Sequence, residues 1–258
     1  MVVKKLMPLG ISLLASGYLY AVEIASAEEA VNIAGKQRMY TQRMLKDYAM
    51  VGMNNSFGDP QGDLEKTIAD FNDHLKSLKA YAKSDETISQ SLEKVEMLWG
   101  PIQKELQENP SIEKVQKLQE DLETLLKASD DATKLFAKAS GKEAGEIVNI
   151  AGRQRMLSQR MASLYMLKVW GVEDPKFKTK LNDTLTLFKT SLEKLESAPL
   201  NNDETKALLA KVKRSFVFFE MMNRSKSKFV PTLIYKKSND ILQKMDNVTQ
   251  LYSKNNDK

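Results

Sequence analysis

Two stretches of the chain, VNIAGKQRMYTQRM from Val31 and VNIAGRQRMLSQRM from Val148, hold an Asn, a Gly, two Gln and two Arg at matching positions. Little else in the sequence carries chemistry, since it contains no Cys and a single His. That composition excludes thiolate metal sites, disulfides and most histidine acid–base catalysis. With no nucleophile–base pair, metal-ligand constellation or phosphate loop visible either, neither an enzyme nor a cofactor is expected. The repeated arginines are left as the groups whose chemistry needs an account.

These residues sit in a duplicated unit. Adding 117 to a residue number carries Asn32 to Asn149, Gly35 to Gly152, Arg38 to Arg155, Gln42 to Gln159 and Arg43 to Arg160, and carries Leu64, Thr67, Phe71, Leu75 and Leu78 to Leu181, Thr184, Phe188, Leu192 and Leu195. Near the ends of the repeats an offset of 116 keeps Asp130 with Asp246 and Thr133 with Thr249. Apolar residues recur three and four apart throughout, without alternating β-branched runs, so each unit reads as helical. Turn residues break the pattern at Ser56–Gly62, Ser84–Asp85 and Asn109–Ser111, then at Gly171–Pro175, Ser197–Asp203 and around Asn223. Four helices per unit follow. Gly100–Pro101 and Pro231 fall inside helical patterns, where they are expected to kink or shorten a helix. The predicted architecture is all-α: two tandem four-helix bundles, residues 28–140 and 141–258, paired about a pseudo-two-fold axis through their first helices.

On a helical wheel Ile33, Tyr40 and Met44, like Ile150, Leu157 and Met161, share a face that belongs to the unit's own core. The opposite face carries Asn32, Gly35, Arg38, Met39 and Gln42, matched by Asn149, Gly152, Arg155, Met156 and Gln159. Gly inside a helix costs about 1 kcal/mol relative to Ala, so its repetition asks for a packing reason, and close approach of two backbones supplies one. If the two first helices pack together, Arg38 and Arg155 point into the gap the glycines open. Two guanidiniums in such a seam repel, and a planar oxyanion between them would cancel the cost of burying them. Pairing of each arginine with an Asp or Glu on a neighbouring helix fits the spacing equally.

The pattern Asn-x-Ala-Gly-x-x-Arg-Met-x-Ser/Thr-Gln-Arg, present in both copies, resembles the signature that opens the sensor domain shared by nitrate/nitrite sensor kinases and the N-terminal region of type IV pilus chemotaxis transducers. That resemblance implies a periplasmic four-helix bundle which dimerises through its first helix and holds one nitrate on the axis. It implies that role for Arg38 and Arg155, with backbone near Gly35 and Gly152, and a structural role for Arg43 and Arg160. Asn32, Asn149, Gln42 and Gln159 would support the site. The chain departs from the sensors in carrying two copies, which would allow the pairing within one molecule. It also carries no kinase or transducer module within its 258 residues.

The first residues read as a secretory signal: Lys4 and Lys5, an apolar run from Leu6 to Tyr20, and small residues suited to cleavage after Ala21 or Ala27. Loss of residues 1–27, which hold Lys4, Lys5 and Glu23, takes the formal charge from +5 to +4, too mild an excess to suggest nucleic acid. His74, whose counterpart is Ser191, is expected at a surface or boundary, and the 13 Met residues are expected mainly in cores. Lys211–Lys237 combines apolar and basic residues with Glu220 as its one acid, which the first copy does not match. It reads as a solvated bundle face or as a docking surface for an acidic partner or an anionic membrane. The expectation is a soluble periplasmic sensory protein that binds a small oxyanion, nitrate or nitrite, and relays its state to a membrane-bound sensor kinase or transducer. The alternative is a structural or adaptor protein of a pilus or chemosensory system with no small ligand.

Overall fold

The computed structural model describes residues 23–141, 143–224 and 230–254. These form helices α1 (Ala27–Gly52), α2 (Pro60–Tyr81), α3 (Glu86–Leu106) and α4 (Val115–Ala139), followed by α5 (Glu143–Trp170), α6 (Phe177–Glu196), α7 (Asp203–Arg224) and α8 (Pro231–Lys254). Local chemistry sets their starts. Ser26 caps α1 by accepting from the Glu29 N–H, with Glu28 and Glu29 in the positive first turn. Asp59, in the left-handed region at φ 55°, accepts from the Gly62 N–H ahead of α2, and Asp85 accepts from the Ile88 N–H ahead of α3. The leader expected over residues 1–27 lies outside the described residues for its first 22 positions. No described helix is long and apolar enough to cross a membrane.

The two prolines expected inside helical patterns take different places. Pro231 opens α8, a position where a missing N–H costs nothing. α3 runs on through Pro101 to Leu106 rather than ending there. The carbonyl that loses its partner belongs to Met97, a residue 72% exposed and so on the solvent side of α3, where the lost bond is least costly.

In the first copy α1 packs along α2 and α4, and α3 closes the group against α4; in the second, α5 packs along α6 and α8, with α7 against α8. Matching aromatic pairs fill the two interiors: Phe71 with Trp99 at 4.2 Å between ring centroids, and Phe188 with Phe216 at 4.4 Å. Such pairs contribute about 0.5–1.5 kcal/mol beyond their burial. The motif helps to tie each first helix down, because Gln37 Nε2 donates to the Phe71 carbonyl and Gln154 Nε2 to that of Phe188, at 3.1 and 2.9 Å.

The largest helix–helix contact joins the copies: α1 lies along α5. The two run in the same direction, since Gly35 meets Gly152, Lys46 meets Gln159 and Gly52 meets Trp170 in order along their lengths. α8 also touches α1, and α4 touches α5. From Val31 to Met50 only Lys36 and Arg43 escape full burial, so α1 has neighbours on nearly every side rather than one core face and one seam face.

Candidate functional site: the arginine seam between α1 and α5

The site starts from the two glycines. A Cβ built on Gly35 would lie 3.9 Å from the Gly152 Cα, and one on Gly152 equally far from the Gly35 Cα, so the backbones approach closely here. The same imagined Cβ of Gly35 would stand 3.2 Å from Arg38 Nη2 and 3.3 Å from Arg155 Nη2. Both guanidinium tips therefore converge over the glycine pair, as the spacing of the motif predicts.

Each tip also crosses to the other copy. Arg38 Nη2 donates to the Asn149 carbonyl and Arg155 Nη2 to the Asn32 carbonyl, each at 3.1 Å. Arg38 Nη1 donates to Asn149 Oδ1 at 2.8 Å, whereas Asn32 Oδ1 is buried and has no partner among the described residues. Nε of both arginines is likewise buried and unpartnered. Three orphaned polar atoms in one seam are unusual, because buried polar groups are nearly always hydrogen-bonded.

Sequence reasoning did not assign the carboxylates that complete the site. Arg38 Nη1 meets Asp130 Oδ1 of α4 at 2.6 Å, and Arg155 Nη1 meets Asp246 Oδ1 of α8 at 2.6 Å. Both arginine side chains are fully buried, while the aspartates keep 21% and 31% exposure. Burial pushes Arg38 down to about 10 against the attraction of Asp130. Burial alone would raise Asp130 and Asp246, but the combined pull of Arg38 and Lys134 on the first, and of Arg155, Lys36 and Gln250 on the second, outweighs it and holds both below the usual carboxylate range. The signal for them was present in the sequence as the acid kept at an offset of 116 in the last helix of each copy.

One and two turns further along, the supporting residues stitch the copies together. Ser163 Oγ donates to Gln42 Oε1 at 3.0 Å, and Gln42 Nε2 donates to Glu123 at 3.1 Å. Arg160 reaches both Glu123 oxygens at 2.8 and 2.7 Å, whereas its counterpart Arg43 pairs within its own copy, with Asp63 at 2.9 Å. Lys46, fully buried, donates to Gln159 Oε1 and Asn239 Oδ1, at 2.9 and 2.8 Å, and lies 4.3 Å from the Tyr235 ring centroid. Asp47, also fully buried, is 3.4 Å from the Lys46 ammonium. Burial drives this pair together in pKa, Lys46 down to about 8 and Asp47 up to about 6. Their counterparts are Ser163 and Leu164, a difference between the copies that marks them in the sequence. His74 is half-buried against the Tyr40 hydroxyl, 3.2 Å away, and burial lowers it to about 4.

Fold and site together define a duplicated all-helical protein in which a Gly–Arg helix of one unit is apposed to its copy. The family model described as type IV pili methyl-accepting chemotaxis transducer N-terminal matches residues 23–133 and 136–216, and the chain belongs to that family. No curated protein and no solved structure gives a significant match. Membership gives the protein a sensory, transducer-related character.

Proposed function

We propose that the protein is a periplasmic anion-responsive sensory protein, in which a small planar oxyanion, nitrate or nitrite, is held by Arg38 and Arg155 over Gly35 and Gly152. The observation that carries this reading is the convergence of both Nη2 atoms over the glycine pair while both Nε atoms lack a partner. An oxyanion placed there would replace the neutral Asn32 and Asn149 carbonyl acceptors with a charged one, so that both partners of each bond are ionised. The two copies would supply, about an axis between the glycines, the paired arginines that the resemblance to nitrate sensors implies from two subunits. Residues 28–140 and 141–258 are the two sensor-like domains in this account.

A second reading draws on the ion pairs. Arg38 and Arg155 already have Asp130 and Asp246 at 2.6 Å, so the seam also works as an internal clamp of an adaptor protein without a small ligand. Titration calorimetry with nitrate, nitrite, sulfate and acetate separates the two. Heat with one anion per chain, lost in Arg38→Ala, supports the sensor. No heat with any of the four supports the adaptor.

Signal output is assigned to a membrane-bound sensor kinase or transducer through Lys211–Lys237. Within it Val217 and Met221, one turn apart on α7, are 44% and 64% exposed beside the exposed Lys213 and Arg214. A combined apolar and basic surface of this kind suits an acidic partner or an anionic membrane.

A further inference from the structure

Two clefts flank the α1–α5 seam, one on each side, at equivalent positions. The first, of about 420 Å³, is lined by Lys36, Met39, Arg43 and Asp246. The second, of about 460 Å³, is lined by their counterparts Arg153, Met156, Arg160 and Asp130. Each lies where the last helix of one copy meets the first helix of the other. Volumes of this size suit a small organic molecule.

The clefts have diverged in a directed way. Where the first has Tyr40 and Asp70, the second has Leu157 and Leu187, while Leu242 and its counterpart Leu126 line both, so the second cleft exchanges two polar side chains for apolar ones. Its rim gains Lys134 and Lys180, giving four cations against the two carboxylates Asp130 and Asp183, while the first cleft balances two against two. Most of the second cleft's cations are engaged: Arg160 with Glu123, Lys134 with Asp130, Lys180 with Asp174. Arg153 alone among them has no hydrogen-bond or ion-pair partner among the described residues, and it is half-buried rather than free in solvent.

We propose that the second cleft is a binding site for an organic monocarboxylate with an apolar body, its carboxylate held by the unpartnered Arg153 guanidinium and its body laid on Leu126 and Leu187. Guanidinium and carboxylate match as planar forks, and the apolar wall supplies burial that an inorganic anion cannot use. This site adjoins the seam, with Asp130 lining both, but its anchor Arg153 is not one of the seam's paired arginines, and it stands whether or not an oxyanion binds there.

The test is titration calorimetry of the protein with 3-phenylpropionate, with 3-phenylpropanol, acetate and nitrate as comparators. One 3-phenylpropionate per chain is expected, with the alcohol and acetate each binding at least about ten-fold more weakly and nitrate failing to compete. Arg153→Gln should lose about ten- to a hundred-fold in affinity and Arg153→Lys less. Leu187→Asp, which copies the first cleft at a position 42% exposed, should abolish binding with the thermal transition unchanged. Lys36→Gln should bind as the unaltered protein does. Equal affinity for the alcohol, unchanged affinity in Arg153→Gln, or no binding of 3-phenylpropionate would each overturn the assignment. Loss in Arg38→Ala with Arg153→Gln unaffected would move the carboxylate to the seam and overturn it too.

Discussion

Arg38 and Asp130 are 92 residues apart in the chain and 2.6 Å apart in space. The pair fastens α1 to α4, and it places a carboxylate in competition with any anion that approaches the seam. Asp130→Asn keeps the shape and removes the competing charge. It should cost about 2 kcal/mol of stability, the worth of a hydrogen bond to a charged group. If the seam binds nitrate, calorimetry should show tighter binding in this variant. A variant that is destabilised and still silent to nitrate speaks for the internal clamp.

Removal of either arginine tests the clamp from the other side. Arg38→Ala and Arg155→Ala should each lower oxyanion affinity by about ten- to a hundred-fold, since each deletes half of the charge-assisted contacts. Arg38→Lys should weaken binding as well, because the fork is lost. Unchanged affinity in both alanine variants would exclude the seam as the site.

Gly35→Ala separates binding from folding. Ala gains about 1 kcal/mol of helix propensity over Gly. Its Cβ would press on both guanidinium tips, at 3.2 and 3.3 Å, and these must give by a few tenths of an ångström. The expected outcome is a thermal transition close to that of the parent with oxyanion affinity reduced about ten-fold or more. An affinity equal to that of the parent would mean that the space over the glycines is not where the ligand sits.

The buried Lys46–Asp47 pair predicts a pH signature. Asp47 titrates near 6 in the folded chain and near 3.8 in the unfolded one, so the folded state binds more protons between those values and this contribution to stability falls as pH rises through them. Lys46 titrates near 8 folded and 10.5 unfolded, so there the unfolded state binds more protons and stability rises with pH. The pair thus disfavours folding most between about pH 6 and 8. Copying the second copy with Lys46→Ser and Asp47→Leu together should flatten this dip in denaturant titrations, and be neutral or stabilising. Asp47→Leu alone should cost about 3–5 kcal/mol with Lys46 charged. A double variant as damaged as the single one would show that the pair is a net source of stability.

Replacement of Lys226, Lys228, Lys236 and Lys237 by Glu reverses the charge of the proposed docking surface; the first two positions lie outside the described residues. Folding and anion affinity should stay within about 0.5 kcal/mol of the parent. Capture of a membrane transducer in a pull-down should weaken. Normal capture would relegate those lysines to a solvated face.

The helix count and several of its boundaries were legible because their causes are local: Asp59 and Asp85 cap with their own side chains. The apposition of Gly35 with Gly152 was legible because duplication wrote the same unusual residue twice. Other features depend on contacts distant in sequence and were not. Asp130 and Asp246 appeared as matched positions without any sign that they face the arginines. Lys46 and Asp47 look like surface charges on a wheel, since only the arrival of α5 and α8 buries them. That α3 continues through Pro101 was not legible either, because it depends on which side of α3 faces its neighbours.

Only residues 140–142 separate the end of α4 at Ala139 from the start of α5 at Glu143. A tether that short gives each copy an effective concentration of the other in the millimolar range or above. Two-subunit receptors lose their paired state when expressed sparsely, whereas α1 and α5 stay together at any dilution. Occupancy of the seam would then follow ligand concentration alone, with a dose–response curve that does not shift with the abundance of the protein.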